Sequence, residues 1–293
     1  MYTKDQGKET SKFPIIGLGA SAGGLEALKE FFSRVSNESN LAYVVQVHQA
    51  PDQPSMMPEL LQKVTSVMVK KAEDGEEILP DHIYVVPPHK EISFYQGRVQ
   101  LLDPLDKFTY LPIDLFFRSL AKDQGNKAAA VILSGTGSDG TVGLKEIKSH
   151  EGLVLVQSED TAKYSGMPGS AISTGLADMV LPPGEMPQKL SQYFQFQPVA
   201  KPQKLEERKE QNWLQKIFAL IRMHLEHDFS AYKKSTILRR INRRMGLNQI
   251  HDHEDYVRFL REDPKELEAL FLELLIGVTN FFFDPQSYKV FKT

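Results

Sequence analysis

From Phe13 to about Gly184, short apolar runs alternate with stretches of helical spacing. The runs "FPIIGLG", "AYVVQVH", "SVMVKKA", "HIYVVPP", "EISFYQGRVQLL", "AAAVILSG" and "GLVLVQS" read as strands. Between them "LEALKEFFSRV", "MMPELLQKV", "PIDLFFRSLAKDQ" and "GLKEIKSH" read as helices. Several of the strands are apolar nearly throughout, as a strand must be when both faces of a parallel sheet are covered. The alternation predicts an α/β domain with a doubly wound, mostly parallel sheet and helices on both faces. "HIYVVPP" with "EISFYQGRVQLL" looks like a small antiparallel hairpin inserted in it.

The pattern then changes. "FQPVAKPQKLEERKEQN" holds two prolines, many charges and few apolar residues, which suits a linker or an exposed helix start. Beyond it "WLQKIFALIRMHLEH", "KSTILRRINRRMGL", "DYVRFLRED" and "KELEALFLELLIGV" all have helical spacing, and no convincing strand interrupts them. They predict a small all-α domain. The expected organisation is a polar tail over 1–12, an α/β domain over 13–192, a linker over 193–212 and a helical domain over 213–293.

Composition narrows the function classes. With 293 residues the chain is long enough for roughly two domains. Its hydrophobic fraction is 41% and its formal net charge is −3, which argues against bulk binding to nucleic acid or an anionic membrane. The charge is uneven. Residues 1–200 carry 18 Lys and Arg against 24 Asp and Glu, a balance of −6, and the remainder carries 17 against 14, a balance of +3. There is no cysteine, so disulfides and thiolate metal sites are excluded. The polar start "MYTKDQGKETSK" lacks a signal-peptide core, and no apolar run reaches the ~18 residues of a membrane span. A cytoplasmic protein is expected.

Candidate chemistry gathers at strand ends. Ser21 sits in Gly19-x-Ser21-x-Gly23 between a strand and a helix, the sequence form of a nucleophile elbow. Glycines there would tolerate a strained backbone, and amides from Ala22 onward could meet a developing oxyanion. Gly17, Gly19 and Gly23 could instead cradle a pyrophosphate, although the spacing is one residue off. A nucleotide site would also want an acidic residue ending the second strand, where this chain has His48. The nucleophile is favoured, with the phosphate cradle and a plain turn left open. A serine needs a base and an orienting acid. Among the eight histidines most are expected to be surface or capping residues. His48 stands out because it ends an apolar strand at the same sheet edge as Ser21. His82, His89 and His150 sit in loops or at element ends, and the rest belong to the helical domain. In "AAAVILSGTGSDGTVGLKEI" Asp139 lies in a third strand-end turn. It could be the acid, or equally a cap for the helix starting near Thr141. Asp52, Asp160 and Asp178 are less well placed. Ser21, His48 and Asp139 are thus offered by three loops at the edge where open α/β sheets hold their sites.

These stretches resemble a known family. "IGLGASAGGLEAL", "VVQVHQAPDQPSMMPELL", "KKAEDGEEILPDHIYVVPPHKEI", "LPIDLFFRSLAKDQGNKAAAVILSGTGSDGTVGL" and "YSGMPGSAI" are similar, in order, to the catalytic domain of chemotaxis receptor methylesterases, the CheB family. The resemblance implies a Ser/His/Asp triad on Ser21, His48 and Asp139. It implies an oxyanion pocket around Ala22, Thr136, Gly137 and Met167. The implied reaction is hydrolysis of glutamyl methyl esters on chemoreceptor helices to glutamate and methanol, with deamidation of some receptor glutamines, and it requires no cofactor and no metal. Methylated chemoreceptors and other chemotaxis signalling proteins are the implied partners. The chain departs from the family pattern at Ala22, where threonine is common, and at Thr136, where methionine is common. The short polar tail leaves no room for the family's usual receiver domain, so inhibition in cis is not expected.

The helical part resembles the N-terminal domain of chemotaxis receptor methyltransferases, the CheR family, through "STILRRINRRMGL" and "LLIGVTNFFFDPQSYKVF". The family usually places a cofactor-binding arginine where this chain has Phe283, so no methyltransferase activity is expected. Arg239, Arg240, Arg243 and Arg244 form a basic face that reads first as a solvated helix surface. The resemblance suggests guidance toward acidic receptor helices instead. Nucleic-acid binding is weaker, since no aromatic platform accompanies the arginines. Two rival functions stay open beside the esterase: a scaffold or binding module of a sensory complex, and a nucleotide-binding protein.

Overall fold

The computed structural model describes residues 13–48, 55–104, 111–196, 206–230 and 232–276. It divides into two compact units, one up to Phe194 and one from Gln195.

The first unit runs β1 (Ile15–Ala20), α1 (Gly24–Phe32), β2 (Ala42–Val47), α2 (Met57–Gln62), β3 (Met68–Lys71), β4 (His82–Val85), β5 (Glu91–Tyr95), β6 (Arg98–Leu102), α3 (Pro112–Gln124), β7 (Ala128–Ile132), α4 (Thr141–Ser149), β8 (Leu153–Gln157), α5 (Gly166–Ser173), β9 (Met179–Leu181) and α6 (Met186–Gln195). Seven strands form one parallel sheet in the order β3-β4-β2-β1-β7-β8-β9. The chain builds outward from β1 on one side, then returns to lay β7 on its other side. The switch point therefore lies at β1–β7, where open α/β sheets place their ligands. The central strands β1, β2, β7 and β8 are buried at every position. Their apolar runs follow from helices on both faces.

Those faces can be told apart residue by residue. Ile15, Ala42, Val44, Ala128, Ala130, Ile132, Val154 and Val156 pack in one core with Ile113, Phe116, Phe117 and Leu120 of α3 and Leu144 and Ile147 of α4. On the other face Phe31 and Phe32 of α1 meet Tyr43 of β2 edge-on, at ring centroid distances of 6.0 and 5.7 Å. Burial there pushes the Tyr43 phenol up to about 12.

Gly17 and Gly19 serve this packing. A Cβ added at Gly17 would lie 2.8 Å from Phe116 Cζ, and one at Gly19 would lie 2.5 Å from Ile113 Cγ2. Both strand glycines face α3 in the core, so close packing accounts for them without a phosphate. Gly143 does the same for the second helix, since a Cβ there would lie 2.7 Å from Phe117 Cβ. Three missing side chains bring α3 down onto β1 and against α4.

The hairpin differs from expectation. Its two strands are β5 and β6, joined by a turn at Gln96–Gly97 with φ of 53° and 73°. "HIYVVPP" is not part of it: β4 pairs in parallel with β2 and β3. An apolar run beside an alternating one looks the same locally in either arrangement. The short edge strand β9 and the helix α5 carried no strong periodic signal.

The second unit contains α7 (Glu206–Leu225), α8 (Lys234–Leu247), α9 (His253–Glu262) and α10 (Pro264–Ile276). Its core holds Trp213, Ile217, Ile221, Ile237, Ile241, Met245, Tyr256, Leu260, Leu267, Leu270 and Leu274, at the spacing of inward helix faces. Asp252 caps α9 through the Glu254 and Asp255 amides. No helix among the described residues is long and apolar enough to cross a membrane. Phe283 lies outside the described residues.

Candidate active site

Ser21, His48 and Asp139 follow β1, β2 and β7, three neighbours in the sheet. Parallel strands end on one edge, so residues distant in sequence arrive side by side. His48 Nδ1 lies 3.2 Å from Ser21 Oγ, and His48 Nε2 lies 2.9 Å from Asp139 Oδ2. An ionised carboxylate only accepts, so Nε2 carries the proton and donates to Asp139. That leaves Nδ1 unprotonated and able to accept from the Ser21 hydroxyl. A serine–imidazole contact of this length is ordinary for a site without substrate. The His48 side chain is 31% exposed and that of Asp139 3%, so the base is reachable and the acid is enclosed.

Asp139 is held by backbone. Its Oδ1 accepts from the Asp114 and Gly140 amides at 3.0 and 2.8 Å, and its Oδ2 accepts from the Ile113 amide at 3.0 Å. Ile113 and Asp114 belong to the first turn of α3, whose free N–H groups and dipole stabilise an anion. The capping reading of Asp139 thus needs correction in its target. It does not cap its own following helix, where Gly140 with φ 90° stands at the cap without a side-chain bond. It caps the neighbouring α3, while its fourth bond holds His48. The α3 residues were missed in the sequence. Pro112 marks a helix start, but nothing local says which anion that start will meet.

The nucleophile turn is also laced down. The Ser21 amide donates to Ser134 O at 3.0 Å, and Gly24 donates to Ser21 O at 2.9 Å. With the Ser21 carbonyl turned toward Gly24, the Ala22 amide of the same peptide faces the other way, out of the helix. The turn departs from a strained elbow in one respect. Left-handed backbone sits at Gly23, φ 72°, and not at Ser21. Ser134, another residue missed in the sequence, is the knot of the loops: its hydroxyl donates to Ala22 O at 2.9 Å and accepts from the Tyr164 amide at 3.0 Å.

The expected pocket residues fall into two groups. The Gly135 carbonyl accepts from the Met167 amide at 2.9 Å, so the Thr136 amide of that peptide points away from Met167. Ala22 and Thr136 N–H groups find no acceptor among the described residues, as donors reserved for an oxyanion would not. Gly137 is exposed in the same loop, whereas Met167 is enclosed. Gly137 supplies φ 80° to the turn, and its nitrogen would lie only 3.0 Å from a Cβ on Gly166. Met167 is fully buried under Gly135, where an added Cβ would overlap its sulfur, so it braces the turn from behind and does not line an open pocket.

Other candidates lie elsewhere. His82 starts β4 and bonds Pro80 O at 2.8 Å, and His150 follows α4 at the opposite sheet edge. Asp178 pairs with Lys148 at 2.7 Å and accepts from the Val154 amide, near the start of β8. Asp160 lies exposed in the turn after β8, and Asp52 lies outside the described residues. Among the described residues no group of three His, Asp or Glu side chains could hold a metal ion.

The basic face on α8 is not a solvated surface. Arg240 and Arg243 are buried and both donate to Glu273, at 3.1 and 2.9 Å. Arg244 forks onto Glu266, which also accepts from the Tyr256 hydroxyl at 2.7 Å. Burial and the Glu266 charge push the Tyr256 phenol up. These three arginines join helices and are not available to an acidic partner. Arg239 alone of the four is exposed.

Comparison with known proteins places both units. The family model described as CheB methylesterase matches residues 16–190, and that of the CheR methyltransferase all-alpha domain matches residues 212–275. An uncharacterized 104.1 kDa protein of Rhodobacter capsulatus is 34% identical over 79% of this chain and 27% of its own length. The protein-glutamate methylesterase/protein-glutamine glutaminase of Thiobacillus denitrificans is 33% identical over 63% of this chain and 53% of its own. The chain thus spans about a quarter to a half of these curated relatives. The crystal structure of the Thermotoga maritima CheB methylesterase catalytic domain matches with a TM-score of 0.57 and 33% identity, covering 61% of this chain and 98% of that domain. The chain belongs to the CheB methylesterase family, and its helical unit carries the all-alpha domain of the CheR family.

Proposed function

We propose that the α/β unit is a protein-glutamate methylesterase, a serine hydrolase acting on glutamyl methyl esters of chemoreceptor helices in the cytoplasm. The observation that carries this reading is the hydrogen-bonded series Ser21 Oγ, His48 Nδ1, His48 Nε2, Asp139 Oδ2. Ser21 Oγ attacks the ester carbonyl while its proton passes to His48 Nδ1. The oxyanion forms against the Ala22 and Thr136 amides, and Asp139 stabilises the imidazolium. His48 returns the proton to the methoxide, methanol leaves, and a water repeats the cycle on the acyl-enzyme to free glutamate. Glutamine deamidation follows the same steps with ammonia leaving. Donation by backbone amides makes the side chains of Ala22 and Thr136 secondary, so the departures from the family pattern leave the donors in place.

Methanol release from methylated chemoreceptor membranes tests the reading. Ser21→Ala is expected to lower it roughly a millionfold, to background. Undiminished release from a folded Ser21→Ala protein would overturn the mechanism. A folded wild type that releases no methanol would make the α/β unit a binding module of a signalling complex.

A further inference from the structure

We infer that Asp114 is a positioning residue for the proposed esterase, tying the first turns of α3 and α4 into one rigid frame around Asp139. The inference rests on the methylesterase reading for its physiological substrate, but its geometry stands alone. Asp114 is 4% exposed and takes no part in the mechanism above. Its Oδ1 accepts from the Gly143 amide at 2.6 Å, in the first turn of α4. Its own amide meanwhile donates to Asp139 Oδ1 at 3.0 Å. The two carboxylates are reciprocal caps. Asp139 stands just before α4 and caps α3; Asp114 stands in α3 and caps α4.

A double tie of this kind does more than one cap. Asp139 alone holds a carboxylate to a helix start, and the loop that bears it could still pivot about Gly137 and Gly140, both with positive φ. The bond from Gly143 to Asp114 closes the ring through α3, the Asp139 loop and α4. With it closed, Asp139 Oδ2 keeps its place on His48 Nε2. A buried carboxylate is costly here. Burial raises the Asp114 carboxyl, the Gly143 amide draws it down, the Asp139 charge raises it and the Arg118 charge lowers it. A group retained against that cost, beside the triad acid, fits a role in precision better than one in bulk stability.

The test compares Asp114→Ala, Asp114→Leu and Asp114→Asn in the full chain. Two readouts are used: the rate at which a fluorophosphonate labels Ser21, and kcat and KM for methanol release. Rates are normalised to folded protein. Ala and Leu remove the acceptor, and Leu keeps the volume. Both are expected to slow Ser21 labelling and kcat at least tenfold with KM changed less than twofold. Asn keeps an acceptor oxygen for Gly143 and is expected to stay within about threefold of wild type. Wild-type labelling and kcat in the folded Ala or Leu variants would overturn the inference. So would Asn falling as far as Ala, or a failure of both Ala and Leu to fold, which would make Asp114 a structural residue only. If the wild type labels rapidly but releases no methanol, the substrate assignment fails and the labelling series still decides the role of Asp114.

Discussion

In the α/β unit the buried carboxylate of Asp139 is met by three backbone amides and one imidazole N–H. In the helical unit the equally buried Glu273 lies between two guanidinium groups, and Glu266 between a guanidinium and a phenol. The donors differ in kind. Amides at a helix start are fixed in space and carry only partial charge, so they hold an anion in place and leave its charge to act on something else. Guanidiniums neutralise what they bind, and the result is a cross-link between helices. The α/β unit itself repeats the contrast. At the edge away from the triad, Asp178 is neutralised by Lys148, and no chemistry is assigned to it. The carboxylate held by backbone alone is the one that meets an imidazole, and those paired with cationic side chains are struts that join helices or strand to helix.

Breaking the Asp139 carboxylate should give the largest effect. Asp139→Asn keeps the size but offers His48 Nε2 an amide that cannot serve as the same acceptor. Turnover is expected to fall about ten-thousandfold, and the melting temperature to fall as well, because the amide nitrogen would face N–H donors that the carboxylate accepted from. A loss under tenfold would mean that Asp139 is only a cap for α3.

Breaking a strut should act on stability instead. Glu273→Ala leaves Arg240 and Arg243 buried without their shared partner, at an expected cost of about 3–5 kcal/mol. The single tryptophan, Trp213, is packed in the same helical core and reports the unfolding. A urea midpoint near that of wild type would show that the arginines reach water without strain and that the strut is dispensable.

The smallest effect sharpens the comparison through pH. Burial raises the Asp114 carboxyl. A raised acid gives its full contribution to stability below the unfolded value, near 4, and loses it as pH rises through the raised value. Asp114→Asn does not titrate. Its stability relative to wild type should therefore improve as pH rises above about 4 and level off once Asp114 of the folded wild type has ionised, as read from urea midpoints of both proteins. A difference that stays flat with pH would show that Asp114 pays no penalty for burial, and that its amide partner compensates it fully.

Much of this was legible without coordinates. Apolar runs and helical spacing implied the sheet and its helices. Because parallel strands share a carboxyl edge, three strand-end residues sufficed to bring Ser21, His48 and Asp139 forward. What failed, failed for physical reasons. The arginines of α8 looked solvent-facing because their carboxylates lie 22 to 33 residues away on α10. "HIYVVPP" looked like half of a hairpin because local pattern does not distinguish a parallel partner from an antiparallel one. Gly17 and Gly19 left a phosphate cradle open beside the nucleophile turn because a missing side chain does not say what takes its space.

The sequence by itself determined the two kinds of architecture and brought Ser21, His48 and Asp139 forward as candidates in that order, since periodicity and strand ends are local properties of the chain. Only the tertiary structure decided which imidazole nitrogen faces Ser21, which helix start holds Asp139, and that Asp114 returns the bond. Those outcomes depend on α3 settling onto the bare backbone of β1 and against Gly143 of α4, and close packing between distant segments is not encoded at any one position.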